Sequence, residues 1–376
     1  MKKNLRILQV LPALEMGGVE RGTIDVALFL KEKGHFPVVA SRGGCLVSHL
    51  RKHGIIHEYL PLHSKNPVTI WLNIGRLVSL IKRHQIQAIH ARSRAPAWSA
   101  YFAAKKAGIP FLTTFHGTHP FQNKAKQLYN SVMTRGKRVI AVSKFIAKDI
   151  QKKYGTSSKK ISLIYRGVDL DVFNPDKVTE SRMEALMTQM QLPDDKYILL
   201  LPGRVTRWKG HEVLLDAASR LKRDDFICLF VGSAKNQSYV TELEDQAKLY
   251  GMRDRLFIIS NCKDMPALYA LSTATVCPST RPEPFGRTAA EAGAMGCPVI
   301  GSDYGGTKEI VVDEKTGFLF PPEDSRVLAD KIDQALNMTQ EERKAMKAAA
   351  TAHIRRNFDN KTMLTKTLKV YEEILS

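Results

Sequence analysis

The chain of 376 residues is 44% hydrophobic and 25% charged, which fits a folded protein of two domains of about 150–200 residues each and excludes a disordered or fibrous chain. No segment supplies the roughly 18 uninterrupted apolar residues of a membrane span, and five cysteines without CxxC spacing read as small buried thiols of a reducing cytoplasm, not a disulfide framework. The formal net charge of +20 is uneven: residues 1–176 carry 29 Lys/Arg against 9 Asp/Glu, and residues 177–376 carry 28 against 28. An excess confined to one half marks a face that meets polyanions, whether nucleic acid, an anionic membrane or an acidic substrate, or simply a soluble basic surface.

The start, "MKKNLRILQVLP", has a short apolar run followed by Glu15 and no small-residue cleavage site, so it reads as a first strand and not a signal peptide. Behind it, "LPALEMGGVERG" places Gly17 and Gly18 before a helix, where amides can approach an anion at the positive end of the helix; a plain tight turn reads equally well. Apolar runs "PVVAS", "HEYLPL", "AIHAR", "FLTTFHG", "RVIAVS" and "ISLIY" follow as strands, separated by amphipathic stretches such as "VTIWLNIGRLVSLIKRH". Strand-helix alternation predicts a doubly wound parallel sheet. The pattern lapses into a charged, proline-containing link over 171–195, then resumes with "YILLLPGR", "FICLFVGS", "LFIIS", "ATVCPS", "PVIGS" and "GFLF". The expected fold class is therefore α/β, two Rossmann-like doubly wound parallel-sheet domains (1–175 and 190–358) facing a cleft, with a last helix of about 359–376 packing back on the first domain.

Chemistry-bearing residues stand at the ends of predicted strands. In "PGRVTRWKGHE", Arg204 and Lys209 are five apart, suited to neutralising a diphosphate, although a solvated basic loop reads as well. In "RPEPFGRTAAEAGAMG", seven residues separate Glu283, in a proline-stiffened loop, from Glu291, expected two turns inside a helix at about 11 Å along its axis. One carboxylate can hold sugar hydroxyls and the other a ribose, with a diphosphate over the amides between them. The alternative is a helix-capping Glu283 and a Glu291 paired with Arg287.

With "GRVTRWKG", "FVGS", "RPEPFGRTAAEAGAMGCPVIGSDYGGTKEIV" and "TGFLFPP" in order, nearly the whole chain resembles the retaining glycosyltransferases of family 4, which have the GT-B fold and an E-x(7)-E signature. The resemblance implies that Arg204 and Lys209 hold the donor diphosphate and that Glu291 binds the ribose. It implies further that Glu283 sits by the donor sugar, that the Phe285 and Gly286 amides and Thr288 face sugar and phosphate, and that Gly17 and Gly18 lie by the reacting centre. His116 matches a family histidine that touches the donor sugar, with His119 a near rival. Glu283, His116, Arg204 and Lys209 are thus the candidate catalytic groups. One departure is Arg166 in "YRGVD", where the family commonly has Asn; another is "GGVE", where many relatives have Ala before the Glu.

No Asp-x-Asp directly follows a predicted strand, so the expected transfer needs no divalent metal and no cofactor beyond a nucleotide-sugar substrate, with UDP the expected base. In such enzymes the first domain binds the acceptor. Its charge, including Lys105, Lys106, Lys124, Lys126, Arg135, Lys137 and Arg138, predicts an anionic lipid-linked acceptor in bacterial cell-envelope glycan synthesis, such as lipopolysaccharide core or a polyprenyl or phosphatidyl carrier. The segment 121–138 interleaves Phe121, Leu128, Tyr129, Val132 and Met133 with cations, as an interfacial helix or as core packing. The expectation is an enzyme peripheral at the inner face of the cytoplasmic membrane, without a nucleic-acid partner. A GT-B sugar-nucleotide isomerase or phosphorylase and a basic nucleic-acid-binding protein are the competing readings.

Overall fold

A computed structural model describes residues 4–119 and 123–376. The chain divides into two compact units, one of residues 1–165 with 361–376, the other of residues 166–360. The first unit is a seven-stranded parallel sheet of β1 (Arg6–Val10), β2 (Phe36–Ser41), β3 (Ile56–Tyr59), β4 (Ala88–Ala91), β5 (Phe111–Phe115), β6 (Arg138–Ala141) and β7 (Ile161–Leu163). They lie in the order β3-β2-β1-β4-β5-β6-β7. Central strands β4 and β5 are buried along their whole length, as strands covered on both faces are, and the polar side chains they carry, His90, Thr113 and Thr114, are hydrogen-bonded.

The helix Asn360–Leu375 belongs to this unit: Val370, Tyr371 and Ile374 join Leu5, Ile7, Ala88 and Leu112 in one core cluster. A polar lock fixes its depth. His90, in mid-β4, meets the Tyr371 hydroxyl at 2.7 Å through Nδ1 and the Thr114 hydroxyl at 2.7 Å through Nε2. Burial pushes the His90 imidazole well below its ordinary pKa, so it stays neutral and both ring nitrogens are satisfied.

The second unit holds β8 (Tyr197–Pro202), β9 (Phe226–Val231), β10 (Leu256–Ile259), β11 (Ala274–Cys277), β12 (Val299–Ser302) and β13 (Gly317–Phe320), all parallel, in the order β10-β9-β8-β11-β12-β13. Its core joins Leu199, Phe230, Leu243, Ile300 and Phe320 with Leu328 and Ile332 of the helix Ser325–Leu336. The stretch 171–195, expected as a link, lies inside this unit and contains the helix Glu180–Met190. Thr179 caps it by accepting from Arg182 N, and Arg182 grips Asp264 with two bonds of 2.5 and 2.6 Å. The charges that suggested a linker are the side chains of a capped surface helix.

Candidate functional site

Each sheet reverses its winding once. In the second unit the chain runs from β8 outward through β9 and β10, then returns to place β11 on the other side of β8. The connectors after β8 and β11 leave neighbouring strand ends in opposite directions, which opens a crevice where such sheets bind ligands. Residues 203–210 and 278–286 are these connectors.

The two are locked together by backbone. Gly210 has φ +78°, and a Cβ there would stand 1.9 Å from the Pro278 carbonyl oxygen; Thr280 N donates to the Trp208 carbonyl at 2.9 Å. Lys209 Nζ therefore reaches Glu283 Oε1 at 2.6 Å, and Ser279 Oγ donates to the same oxygen at 2.9 Å. Both side chains of the pair are mostly buried, 14% and 13% exposed. Oε2 of Glu283 has no hydrogen-bond partner among the described residues.

The two arginines of this connector separate cleanly. Arg207 pairs with Glu212 at 2.6 Å and with Glu242, and lies over the Tyr239 ring at 4.7 Å. Arg204 is exposed and, among the described residues, makes no ion pair. Its fork is available to an anion.

The Glu283 backbone is held by a second glycine pair that sequence reading left without a role. Gly306 N donates to the Glu283 carbonyl at 2.7 Å. Gly305 has φ +60°, and a Cβ on it would fall 2.6 Å from that carbonyl oxygen. Only glycine fits there without strain.

The helix Arg287–Ala294 is capped by the backbone of Gly286, with no side-chain capping bond. Glu283 does not cap it. Because the loop stays non-helical through Gly286, Glu291 lies about one turn in, near 6 Å along the axis at ~1.5 Å per residue, and not two turns and about 11 Å. Glu291 is 7% exposed; Arg287 Nε donates to Oε1 at 2.6 Å and the buried Tyr269 hydroxyl to Oε2 at 3.3 Å. Burial, and then the neighbouring Glu291 charge, push the Tyr269 hydroxyl well above its usual pKa, which keeps it a donor. The Arg287 pairing foreseen as an alternative is therefore present, and Tyr269 is a partner that no local pattern announced. Phe285 is buried against Phe358, rings 5.8 Å apart and edge-on, and Thr288 Oγ1 lies 3.5 Å from Cys277 Sγ.

In the first unit the reversal falls between β1 and β4. Gly17 precedes the helix Gly18–Glu32 with φ −158°, an extended backbone open to any residue. What a side chain would meet is Glu20, whose Oε2 lies 2.3 Å from the position of a Gly17 Cβ. The helix thus begins with a carboxylate folded over its entrance. His116 follows β5 half-buried, whereas His119 is packed on Phe115 with ring centroids 4.8 Å apart. Burial, with Arg94 and Lys153 nearby, lowers the His119 pKa to about 3. Arg92, passed over in the sequence, follows β4 and is 5% exposed, with no hydrogen-bond partner for Nε.

The basic residues of this unit divide. Lys105, Lys106, Lys124 and Lys126 are exposed. Arg135 lies 5.1 Å over the Trp98 ring, Lys137 Nζ donates to the Ile374 carbonyl at 2.9 Å, and Arg138 reaches Glu373 at 3.7 Å. Of the interleaved apolar residues, Phe121 lies outside the described residues. Val132 and Met133 are core, and Leu128 is exposed.

Comparison with known proteins agrees with this geometry. Residues 183–353 match the family "Glycosyl transferases group 1", and residues 16–172 match "Glycosyltransferase Family 4". A crystal structure of a glycosyltransferase from Rickettsia africae ESF-5 is 39% identical, covers 99% of both chains and superposes with a TM-score of 0.93. HepE of Anabaena, solved in complex with UDP-glucose, is 24% identical over 98% of this chain and 100% of its own, with a TM-score of 0.85. The D-inositol 3-phosphate glycosyltransferase of Xylanimonas cellulosilytica is 27% identical over 300 residues, 76% of this chain and 71% of that protein. With two parallel α/β sheets in the GT-B fold, the chain belongs to glycosyltransferase family 4 and is a retaining nucleotide-sugar glycosyltransferase.

Proposed function

We propose that the enzyme moves a sugar from a UDP-sugar to an anionic, lipid-linked acceptor at the inner face of the cytoplasmic membrane, without a divalent metal. The observation that carries the donor half is the Lys209–Glu283 pair at the winding reversal of the second unit, with Glu291 one helical turn beyond. In this reading Arg204 and Lys209 hold the diphosphate and offset the charge that grows on it as the glycosidic bond breaks. Lys209 exchanges Glu283 for phosphate, and Glu283, so released, takes hydroxyls of the donor sugar. Glu291 accepts from the ribose through lone pairs not used by Arg287 and Tyr269. The Phe285 and Gly286 amides and Thr288 face sugar and phosphate; Gly17, Gly18 and His116 serve the reacting centre. A phosphate oxygen of the leaving diphosphate takes the proton of the incoming hydroxyl on the same face, which retains the anomeric configuration.

UDP is proposed as the base because HepE, which shares the fold, is seen with UDP-glucose. The first unit binds the acceptor, and its one-sided charge favours a phosphorylated glycolipid such as lipopolysaccharide core, or a polyprenyl or phosphatidyl carrier. Relatives named for D-inositol 3-phosphate carry an anionic acceptor in their name.

Thermal unfolding with UDP-, GDP- and ADP-sugars in chelator, and again with magnesium or manganese, tests the donor. A ligand at a hundred times its dissociation constant adds about 2.7 kcal/mol. The expected result is stabilisation by UDP-sugars alone, undiminished by chelator; stabilisation only with metal, or by another base, contradicts the proposal. For the acceptor, UDP release should accelerate only when an anionic glycolipid is added.

A further inference from the structure

Residues 59–148 contain no Asp or Glu and fifteen Lys or Arg. That acid-free stretch includes the helix Pro67–Arg83, which is firmly built: Asn66 caps it by accepting from Val68 N and Thr69 N, and Pro67 opens its first turn. Its inner face buries Asn73, Leu77, Leu80 and Ile81, and it leans on the helix Arg94–Ala107, where Ser99 Oγ donates to the Ile70 carbonyl at 3.1 Å. The outer face is unusual. Val68, Trp71 and Leu72, at i, i+3 and i+4, are 65%, 70% and 44% exposed.

Further along the same exposed face come Arg76, Lys82 and Arg83, with Lys65 just before the cap. The acid that precedes this stretch in sequence, Glu58 on β3, is already taken by His84 at 2.7 Å and Arg83 at 3.5 Å. An exposed tryptophan and leucine on a basic, acid-free stretch of chain match the two terms of interfacial binding, apolar insertion and attraction to anionic headgroups. Single exposed apolar residues need no explanation, but three on one turn do.

Topology adds the position. The helix starts after β3, at the carboxyl edge of the sheet. That edge also carries Gly17, Gly18 and His116, which follow β1 and β5, and Met16, 75% exposed, beside the glycines. A bilayer meeting this turn presents its headgroups to the edge that carries Gly17, Gly18 and His116, the residues proposed above for the reacting centre.

We infer that the first two turns of the helix Pro67–Arg83, through Val68, Trp71 and Leu72, are the element that inserts into an anionic lipid bilayer. This rests on the proposed membrane-side acceptor, but it moves the contact away from segment 121–138, whose Val132 and Met133 are core. The helix Lys124–Ser131 contributes charge and a single exposed leucine, Leu128. Trp71 and Leu72 set depth; the cations set preference for anionic lipid.

The test is sedimentation of the full-length enzyme with vesicles of phosphatidylcholine alone and with about 30% phosphatidylglycerol. Wild type should bind only the anionic vesicles, with a blue shift of tryptophan emission. Combined Trp71→Ser and Leu72→Ser substitution should weaken binding about tenfold or more. Trp71→Phe should keep binding yet lose the shift, since Trp98 and Trp208 lie elsewhere. UDP-induced thermal stabilisation should be unchanged in all, which separates this inference from the donor assignment. Unchanged binding in the double variant, with loss in Lys124→Glu/Lys126→Glu, overturns it and returns the contact to the neighbouring helix. No binding by wild type overturns both it and the membrane reading. A dimer that the double variant dissociates assigns the face to a second copy and overturns the inference too.

Discussion

Lys209 and Glu283 hold each other through one carboxylate oxygen, so on the proposed donor reading removing either should have opposite effects on the two halves of the donor. Lys209→Met takes away the proposed diphosphate contact and leaves Glu283 with Ser279 alone; UDP affinity should fall about tenfold or more, or about 1.4 kcal/mol and upward. Glu283→Gln frees Lys209 from its competitor, so UDP should bind no more weakly than to wild type. Both variants should lose about a hundredfold or more in transfer rate if each group acts, as proposed, on the reacting sugar or its leaving group. Titration calorimetry with UDP, beside an assay of UDP release, checks this pair. Equal weakening of UDP by the two substitutions would mean that Glu283 supports the nucleotide as Lys209 does and does not compete with it for Lys209. Arg207→Ala should cost stability and little else, since its fork is spent on Glu212 and Glu242.

Among elements, the glycine pair at 305–306 decides where Glu283 sits. Gly305→Ala puts a Cβ 2.6 Å from the Glu283 carbonyl oxygen at φ +60°; it should destabilise by about 2–4 kcal/mol and depress transfer. Gly34→Ala has φ +81° but nothing within 4 Å, so it should cost only about 1–2 kcal/mol of backbone strain. Urea unfolding of the two variants separates packing from conformation, and equal losses would remove the packing role of Gly305. Tyr371→Phe strips His90 Nδ1 of its partner and should cost the first unit about 1–3 kcal/mol. The strands of both sheets were legible as short runs rich in apolar residues, because parallel strands covered on both faces bury most of their side chains, although β3, Ile56–Tyr59, carries His57 and Glu58 and is only half-buried. The helix Glu180–Met190 was not: its one buried residue, Leu186, leaves no apolar stripe, and Asp264, which holds Arg182, is 82 positions away. Tyr269 was hidden from Glu291 for the same reason. Lys209 and Glu283 were legible as types at strand ends, but not as a pair, since nothing local places the connectors of β8 and β11 side by side. Trp71 was read as part of an amphipathic stripe, and its outward direction is set by the helix it packs beside.

At the scale of the whole molecule, buried neutral histidines tie stability to pH. Burial lowers His57 and His211 to about 4 and His119 to about 3, against about 6.5 in an unfolded chain. Below pH 6.5 the unfolded state takes up protons that the native state refuses, so this stability is complete above about 6.5 and declines as pH falls toward 4 and 3. Asp216, Asp225 and Asp264 are also held below the usual carboxylate range, but they act only under about pH 4. Calorimetric melting should therefore show a lower Tm at pH 5 than at pH 7, and equal values would mean that these rings are already protonated or exposed. The uneven charge belongs to this scale as well: the excess of Lys and Arg lies in residues 1–176, with none in residues 177–376, which suits the proposed anionic acceptor on the first unit. The donor half is tested most directly by titrating UDP into wild type and Glu291→Ala in the presence of chelator. Metal-free binding by wild type, weakened about tenfold or more by the substitution, is the predicted result. No binding without metal, or equal binding by both proteins, would contradict the assignment of Glu291 and of the crevice between β8 and β11 to the nucleotide.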